Sequence, residues 1–297
     1  MDIAQKEVFQ MTNRLELPQL TLDTLIIPRD VAYQYGMQTY NFVSQGWYET
    51  AQGQRVDIAA ARDAAAHAQR AYRPGQPIPT KRGRATGAPL VQLYNQTTLA
   101  VAQARAAQGY RVAILNFASA TSPGGSWLEG ARAQEESLAR SSALVNALQA
   151  DEWYNDPRHH TDPFYDDTVI VTPQVPFFRL HTGQLLEQPW YADVLTTAAV
   201  HAKAVATYMP SRLSEIPACM RQRTHVMLRA ANTLAADVLV LGAWGCGAFG
   251  NDATMMADIF AESLRLIDMT GYTHIDFAVA DVRNQHEVYT PFARYWN

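Results

Sequence analysis

Residues 237–264 carry the clearest structural pattern of the chain, DVLVLGAWGCGAFGNDATMMADIFAESL. The continuous apolar run after Asp237 is typical of a short strand that is buried on both faces of a sheet. A glycine-rich segment, Gly242–Asp252, follows this strand. We predict a helix over residues 252–271, with Asp252 as its N-cap and Gly271 as its terminator. A strand, a loop and a helix in this order indicate an α/β domain.

Similar patterns extend over most of the chain. We predict further strands over residues 89–95, 111–119, 167–178, 192–200 and 274–281, and helices over residues 56–72, 96–109, 129–149 and, after Pro217, within 212–236. Residues 86–297 are expected to form a layered α/β domain, with helices on both faces of a mostly buried sheet. Residues 1–85 are expected to form a partly helical N-terminal extension packed on it, with an exposed connector over residues 73–89.

Composition narrows the class of protein. The chain has 297 residues and a formal net charge of −4, which argues against a nucleic-acid grip built on clustered basic residues. Two cysteines lie far apart in the sequence, which fits a reducing cytoplasm rather than a disulfide framework. We see no secretory signal at the N-terminus and no apolar run of the roughly 18 residues that a membrane span needs.

Two glycine-rich segments are each predicted to follow a buried strand. One is the turn Gly124–Ser126 and the other is the loop Gly245–Gly250. Backbone N–H groups in such turns form concave anion sites, and a diphosphate is the natural ligand of two facing loops. The loop also has the spacing G-x-G-x-x-G, but only one clear strand follows it, so we do not expect a nicotinamide dinucleotide fold.

The triplet Gln134-Glu135-Glu136 lies about ten residues after the first glycine turn, where a helix is predicted. Adjacent helical residues point about 100° apart, so we expect one carboxylate to enter a pocket while the other lies at its rim. A carboxyl group beside apolar walls keeps its neutral form, which suits a general acid. The alternative is a solvated helix face, on which a glutamate pairs with Arg132 or Arg140.

Other candidate residues carry weaker patterns. The segment His159–Asp167 contains metal-ligand residue types, but it lacks regular ligand spacing, so we predict a solvated loop. Cys246 has no predicted base nearby and is interpreted as a packed residue. Trp127 either stacks on a ligand or caps the core. The aromatic cluster Tyr289–Trp296 is expected to pack the C-terminus onto the domain.

The segment NFASATSPGGSWLEGARAQEESLARSS, residues 116–142, resembles the bacterial-type poly(ADP-ribose) glycohydrolases, in which a glycine triplet precedes Gln-Glu-Glu. The resemblance continues in the same order through VQLYNQTT, VTPQVPFFR, LLEQPWYADVLTTAAV and VLVLGAWGCGAFGND. It implies a macrodomain-like, three-layer αβα fold with a central mixed sheet and a largely helical N-terminal extension. It also implies an enzyme without a cofactor or metal, whose substrate is poly(ADP-ribose) or ADP-ribosylated protein and whose product is ADP-ribose.

The resemblance also assigns roles to residues of this sequence. Glu136 would be the catalytic acid and base, Glu135 would bind ribose hydroxyls, and Gln134 would help to place the pair. The two glycine segments would enclose the diphosphate, and Phe249 would pack on the terminal ribose. The implied substrate-binding residues are Asn116, Ser119, Gly124, Gly125, Ser126, Gln134, Gly245, Cys246, Gly247, Ala248, Phe249, Gly250 and Asn251.

The expected reaction is hydrolysis of the ribose–ribose O-glycosidic bond, which passes through an oxocarbenium-like state. One departure from the family leaves alternatives open, because Ser126 occupies the position of the third glycine. A serine is costly there if the position requires a positive φ or a very close approach of phosphate. A module that binds ADP-ribose without cleaving it, or a hydrolase of single ADP-ribose units, therefore stays an alternative.

Overall fold

Within the described residues, seven strands form one mixed sheet in the middle of the molecule. The computed structural model describes residues 14–281 and 287–296, apart from residues 18, 20, 22–26, 80–84 and 86. The strands are β1 (Trp47–Glu49), β2 (Arg55–Asp57), β3 (Arg70–Tyr72), β4 (Leu90–Tyr94), β5 (Val112–Phe117), β6 (Val169–Arg179), β7 (Leu185–Thr197), β8 (Val238–Gly242) and β9 (His274–Ala278).

The order of strands in the sheet is β3-β6-β7-β5-β8-β9-β4, and β1 pairs with β2 in a separate ribbon. β7, β5, β8, β9 and β4 run parallel to one another, whereas β6 is antiparallel to both β3 and β7. The central strands β5 and β8 are almost wholly buried, as expected for parallel strands that are covered on both faces.

The sheet is covered by helices on both faces. The helices are α1 (Arg29–Gln45), α2 (Ala59–His67), α3 (Thr98–Ala107), α4 (Gln134–Ser141), α5 (Leu144–Leu148), α6 (Ala202–Tyr208), α7 (Ile216–Ala231), α8 (Ala253–Leu266) and α9 (Tyr289–Ala293). Residues of α7, α8 and α9 share one apolar core with one face of the sheet. Residues of α3, α4 and α5 share a second core with the other face. The predicted three-layer αβα arrangement is confirmed.

Local sequence explains where several elements begin and end. The side chain of Thr97 accepts a hydrogen bond from the N–H of Ala100 and starts α3, and Asp252 does the same for α8 through the N–H of Met255. The predicted N-cap at Asp252 is confirmed. The predicted terminator Gly271 is wrong, because α8 ends at Leu266 and an extended Ile267 turns the chain so that Met269 enters the core.

The N-terminal extension differs in detail from the prediction. The helix predicted over residues 56–72 is present only as α2, because its two flanks form β2 and β3. β3 joins the edge of the main sheet beside β6, so sheet pairing overrides the helix propensity of this alanine-rich segment. An edge strand of the main sheet, β3, therefore lies within residues 1–85. The division of the chain into two parts at residue 85 stays a prediction. The connector 73–89 lies partly outside the described residues.

The helix predicted over residues 129–149 is broken into a short 3₁₀ turn, α4 and α5. Ser142 interrupts it with an extended backbone. Its hydroxyl donates to the carbonyl of Leu138 and accepts from the N–H of Leu144, so the side chain competes with the helical hydrogen bonds. The strand predicted over residues 192–200 is longer at its start, because β7 begins at Leu185.

The sequence predicts a solvated loop for one irregular segment and a packed aromatic cluster for another. The solvated loop predicted over residues 159–167 is wrong for His159, which is buried at the end of a 3₁₀ turn over Pro157–His160. The C-terminal aromatic cluster packs as predicted. Trp296 stacks on Phe277 with ring centroids 4.0 Å apart, and Phe292 is buried in the same core.

Candidate active site

A cleft of about 940 Å³ opens where the parallel strands β5, β8 and β9 end. Its walls come from the segments that follow these strands and from the start of α3 and of α4. The carboxyl ends of parallel strands meet at one edge of a sheet, where α/β proteins place their ligand sites. The predicted site residues lining the cleft are Ser119, Gly125, Ser126, Gln134, Glu135, Glu136 and Gly245–Asn251.

Gln134 fixes the start of α4 against the end of β5. Its side-chain oxygen accepts a hydrogen bond from the N–H of Phe117 at 3.0 Å, and its amide donates to the carbonyl of Leu115 at 2.8 Å. The same amide donates to the hydroxyl of Thr98 at the start of α3. The side chain thus pairs with the backbone of β5 as a further strand would, and it sets where the next two residues of α4 lie.

Glu135 is only 4% exposed, and its carboxylate accepts hydrogen bonds from two backbone N–H groups. Ser119 donates to Oε2 at 2.6 Å, and Gly124 donates to Oε1 at 3.1 Å. Burial raises the pKa of Glu135 well above its ordinary value, and the negative charge of Glu136 adds to this. The backbone donors and Asn116 oppose the rise, because they stabilise the charged form.

Glu136 is 9% exposed and lies against the same turn. Its Oε1 accepts a hydrogen bond from the N–H of Ser126 at 3.2 Å. Its Oε2 is buried and has no hydrogen-bond partner among the described residues. The prediction that one carboxylate lies at the rim is therefore wrong, as is the solvated helix face, because both glutamates are buried. The first turn of α4 sits beneath the glycine turn, and both side chains reach it.

The glycine turn is shaped to hold these carboxylates. Gly124 and Gly125 have φ values of 79° and 62°, which other residues rarely adopt. A Cβ atom at Gly125 would collide with Oε1 of Glu136 and lie 3.2 Å from Oε2 of Glu135. Ser126 has a φ of −95°, so the third position does not require glycine.

The amides of this turn are fully used inside the protein. Gly124 and Ser126 donate to the two carboxylates, and Gly125 donates to the carbonyl of Ser122. This differs from the expectation that the turn encloses a diphosphate with its N–H groups. The groups that the turn holds in the structure are the carboxyl groups of Glu135 and Glu136.

The loop Gly245–Gly250 has a different hydrogen-bonding pattern. The N–H groups of Gly247, Ala248 and Phe249 donate to none of the described residues, and Gly247 and Ala248 are exposed. Asn251 closes the loop from below, since its amide donates to the carbonyls of Val200 and Gly245. The loop therefore presents free donors to the cleft.

Phe249 and Cys246 take different positions in this loop. The ring of Phe249 stacks on His201, with centroids 4.4 Å apart and an interplanar angle of 17°, so its orientation is fixed. Burial raises the pKa of the Cys246 thiol to about 12, so this side chain stays protonated at neutral pH and is a poor nucleophile.

Two predicted site residues lie behind the cleft wall. Asn116 is fully buried and donates to the hydroxyl of Thr196, and Gly124 is covered by Val145 and Trp127. Trp127 packs with Ala139 and Val145 in a small apolar cluster, which resolves its two alternatives in favour of packing.

Some residues of the cleft wall were not predicted. They include Lys203 at the start of α6 and Asp281 after β9. Asp281 accepts hydrogen bonds from the N–H groups of Val288 and Tyr289, so it ties the C-terminal segment to the cleft. Both residues follow the end of a strand, and this position in the sequence is the signal that could have identified them.

The fold and the site together define a class of three-layer αβα proteins in which a buried carboxylate pair and a loop of free backbone donors line one cleft. In a comparison with known protein families, residues 36–180 match the family model of the microbial-type PARG, catalytic domain. The described part of the chain contains no helix that is long and apolar enough to cross a membrane. No curated protein sequence matches the chain.

Solved structures of bacterial poly(ADP-ribose) glycohydrolases are similar over most of the chain. The enzyme from Thermomonospora curvata is 35% identical with a TM-score of 0.81, covering 89% of this chain and 99% of its own. The structure of its complex with the inhibitor ADP-HPD is 35% identical with a TM-score of 0.78, and the match covers 90% of this chain and 100% of that one. The Deinococcus radiodurans enzyme in complex with ADP-ribose is 35% identical with a TM-score of 0.73, and the match covers 80% of this chain and 98% of that one. The chain therefore belongs to the family of microbial-type poly(ADP-ribose) glycohydrolases.

Proposed function

We propose that the chain hydrolyses ribose–ribose bonds of poly(ADP-ribose) and releases ADP-ribose, with Glu136 as the acid and base. Family membership and the complexes of its relatives with ADP-ribose and ADP-HPD support this activity. The observation that carries the assignment of Glu136 is its unpartnered Oε2, a buried carboxylate oxygen on a residue that lines the cleft. A buried polar atom without a partner costs free energy unless a ligand or a proton satisfies it.

Glu136 can serve both halves of the reaction. As the bond between the anomeric carbon and the leaving ribose oxygen breaks, Oε2 gives its proton to that oxygen. The sugar passes through an oxocarbenium-like state, and a water molecule then adds to the anomeric carbon. The carboxylate takes the proton of that water and returns to its starting form, so no other proton carrier is required.

Glu135 and Gln134 position this acid. Glu135 joins the loop after β5 to the glycine turn through the N–H groups of Ser119 and Gly124, and its remaining lone pairs are available to ribose hydroxyls. Gln134 joins α4 to the end of β5. Both side chains bond to backbone, so the geometry of Glu136 rests on rigid elements.

The loop Gly245–Gly250 supplies the binding energy for the diphosphate. Three free N–H groups in consecutive residues suit phosphate oxygens, and hydrogen bonds to a charged group are the stronger kind. Phe249, held by His201, offers a flat apolar face to a ribose. A fixed diphosphate would place the reacting carbon beside Glu136. We further propose that the enzyme acts in the cytoplasm, since its two cysteines are free.

An auto-modified polymerase that carries labelled chains tests the assignment. Glu136→Gln should release label about 100- to 10,000-fold more slowly than the unchanged protein while binding ADP-ribose with similar affinity. Glu129→Gln is the matched control, because Glu129 is an exposed acid of the same segment. Label released equally by Glu136→Gln and the control would remove Glu136 from its role.

Two further outcomes identify the alternatives. Tight binding of ADP-ribose by the unchanged protein without release of label would show a binding module. A substrate that bears a single ADP-ribose unit, cleaved where chains are not, would show a hydrolase of single units.

A further inference from the structure

A second cluster of polar groups lies in the segment between α5 and β6, and its residues are not among those that line the cleft. It consists of Asp156, His159 and Asp166, whose ligand-type atoms all lie within 4.8 Å of one another. His159 and Asp166 belong to the segment 159–167, which was predicted to be a solvated loop, and Asp156 lies just before it. None of its side chains has a part in the proposed cleavage.

His159 is the buried member of the cluster and is only 5% exposed. Its Nδ1 lies 3.1 Å from the carbonyl oxygen of Ala120, a contact that requires the proton to be on Nδ1. Nε2 of the neutral ring then carries a lone pair, and it has no hydrogen-bond partner among the described residues. A histidine whose Nδ1–H is held by a carbonyl is oriented as metal-binding histidines are.

Asp166 faces this lone pair with one oxygen. Its Oδ1 accepts hydrogen bonds from the indole N–H of Trp153 at 2.8 Å and the N–H of Thr168 at 3.0 Å. Its Oδ2 lies 3.8 Å from Nε2 of His159. This separation is too long for a hydrogen bond, but it suits two ligands of one ion, each about 2.0–2.2 Å from it.

Asp156 supplies the second carboxylate, which accepts hydrogen bonds from the guanidinium and the N–H of Arg158. The Arg158 side chain is 76% exposed, so it competes with a cation for this carboxylate without being locked in place.

We propose that Asp156, His159 and Asp166 bind a divalent transition-metal ion, with Zn²⁺ the best match to one imidazole and two carboxylates. An imidazole favours Zn²⁺ over Mg²⁺ and Ca²⁺, which prefer oxygen ligands alone. The competing arrangement is a direct contact of His159 with Asp166 that binds no metal.

A metal ion bound at this cluster would influence the active site indirectly, through the loop that follows β5. The carbonyl of Ala120 accepts the hydrogen bond of His159, and its neighbour Ser119 donates to Glu135. A bound ion would fix the ring of His159 and, through it, the loop that carries this donor. Its effect is therefore structural, and no step of the cleavage passes through the ion.

Binding of Zn²⁺ to the chelator-treated protein, measured by titration calorimetry with Mg²⁺ as the comparison ion, tests the proposal. The unchanged protein should take up a Zn²⁺ equivalent that raises its melting temperature. His159→Asn keeps a donor for Ala120 and removes Nε2, and Asp166→Asn keeps Oδ1 as an acceptor and removes Oδ2. Each should weaken this binding by at least about tenfold, since even indirect metal partners cost 10–100-fold.

Two surface variants complete the test. His160→Asn, the exposed neighbour, should bind Zn²⁺ as the unchanged protein does. Arg158→Gln removes the competing charge from the surface and should tighten binding, which gives an answer even if a buried variant fails to fold. Equal Zn²⁺ binding by His159→Asn and His160→Asn, no binding by the unchanged protein, or no gain in Arg158→Gln would each overturn the site.

Discussion

The two glycine-rich segments of the cleft have similar composition and opposite hydrogen bonding. In the turn Gly124–Ser126, every N–H group has a partner inside the protein, and two of the partners are the carboxyl groups of Glu135 and Glu136. In the loop Gly245–Gly250, the N–H groups of Gly247, Ala248 and Phe249 donate to none of the described residues. The turn therefore binds carboxyl groups that belong to the chain, whereas the three N–H groups of the loop are free to bind a ligand.

This contrast shows that glycine-rich composition after a strand does not by itself determine what the backbone N–H groups bind. The turn's ligands are supplied by α4, which starts eight residues after Ser126 and brings Glu135 and Glu136 beneath it. Below the loop lies Asn251, whose amide donates to the carbonyls of Val200 and Gly245. The division of roles follows from what each loop packs against, not from its glycines.

A methyl group at Gly125 tests the contact between the turn and the carboxyl groups, and it has the largest expected effect. In Gly125→Ala, the new Cβ collides with Oε1 of Glu136, and the φ of 62° disfavours a side chain. Displacement of the acid by even about 1 Å can cost 100-fold in rate, so we expect at least that loss in release of ADP-ribose.

The matched control is Gly53→Ala, because Gly53 has a φ of 76° and open space around it. Both variants carry the same backbone strain, about 1–2 kcal/mol, but only one meets the carboxylates. Similar activity losses in the two variants would mean that strain, and not the collision, is responsible.

A proline at position 248 tests the second half of the comparison. Ala248→Pro removes an N–H group that has no partner among the described residues, so the loop loses no internal hydrogen bond. If that N–H binds phosphate, ADP-ribose affinity should fall about 10- to 100-fold, the effect of a lost hydrogen bond to a charged group. Titration calorimetry with ADP-ribose measures it.

Ala248→Gly retains the N–H group and is the control for this position. We expect its affinity for ADP-ribose to stay close to that of the unchanged protein. An equal loss in both variants would show that the loop conformation matters and not the donor at residue 248.

The sequence was sufficient for the layered fold because the buried strands β5 and β8 are continuous apolar runs. It was sufficient for the edge of the sheet that holds the site, because strand ends can be located from these runs. It was insufficient where contacts distant in sequence decide. β3 forms because β6 offers it an edge, although the surrounding segment has strong helix propensity.

The site shows the same limit on a smaller scale. Helical geometry predicted that Glu135 and Glu136 would diverge, but the turn above α4 bonds to both side chains. The burial of His159 also depends on a distant contact, its hydrogen bond to the carbonyl of Ala120. Neither contact follows from local sequence, since each joins segments whose approach is set by the whole fold.

The smallest expected effect is at Ser126, where the sequence departs from the glycine of the family. Its φ of −95° requires no glycine, and its contribution to the site is a backbone N–H that any residue but proline supplies. Ser126→Gly should therefore change activity less than about twofold and lower the free energy of unfolding by about 0.5–1 kcal/mol, because glycine gives the unfolded chain more freedom. Release of ADP-ribose and urea unfolding measure the two effects. A large gain in activity would mean that the serine side chain obstructs the substrate, and a large loss would mean that its hydroxyl binds it.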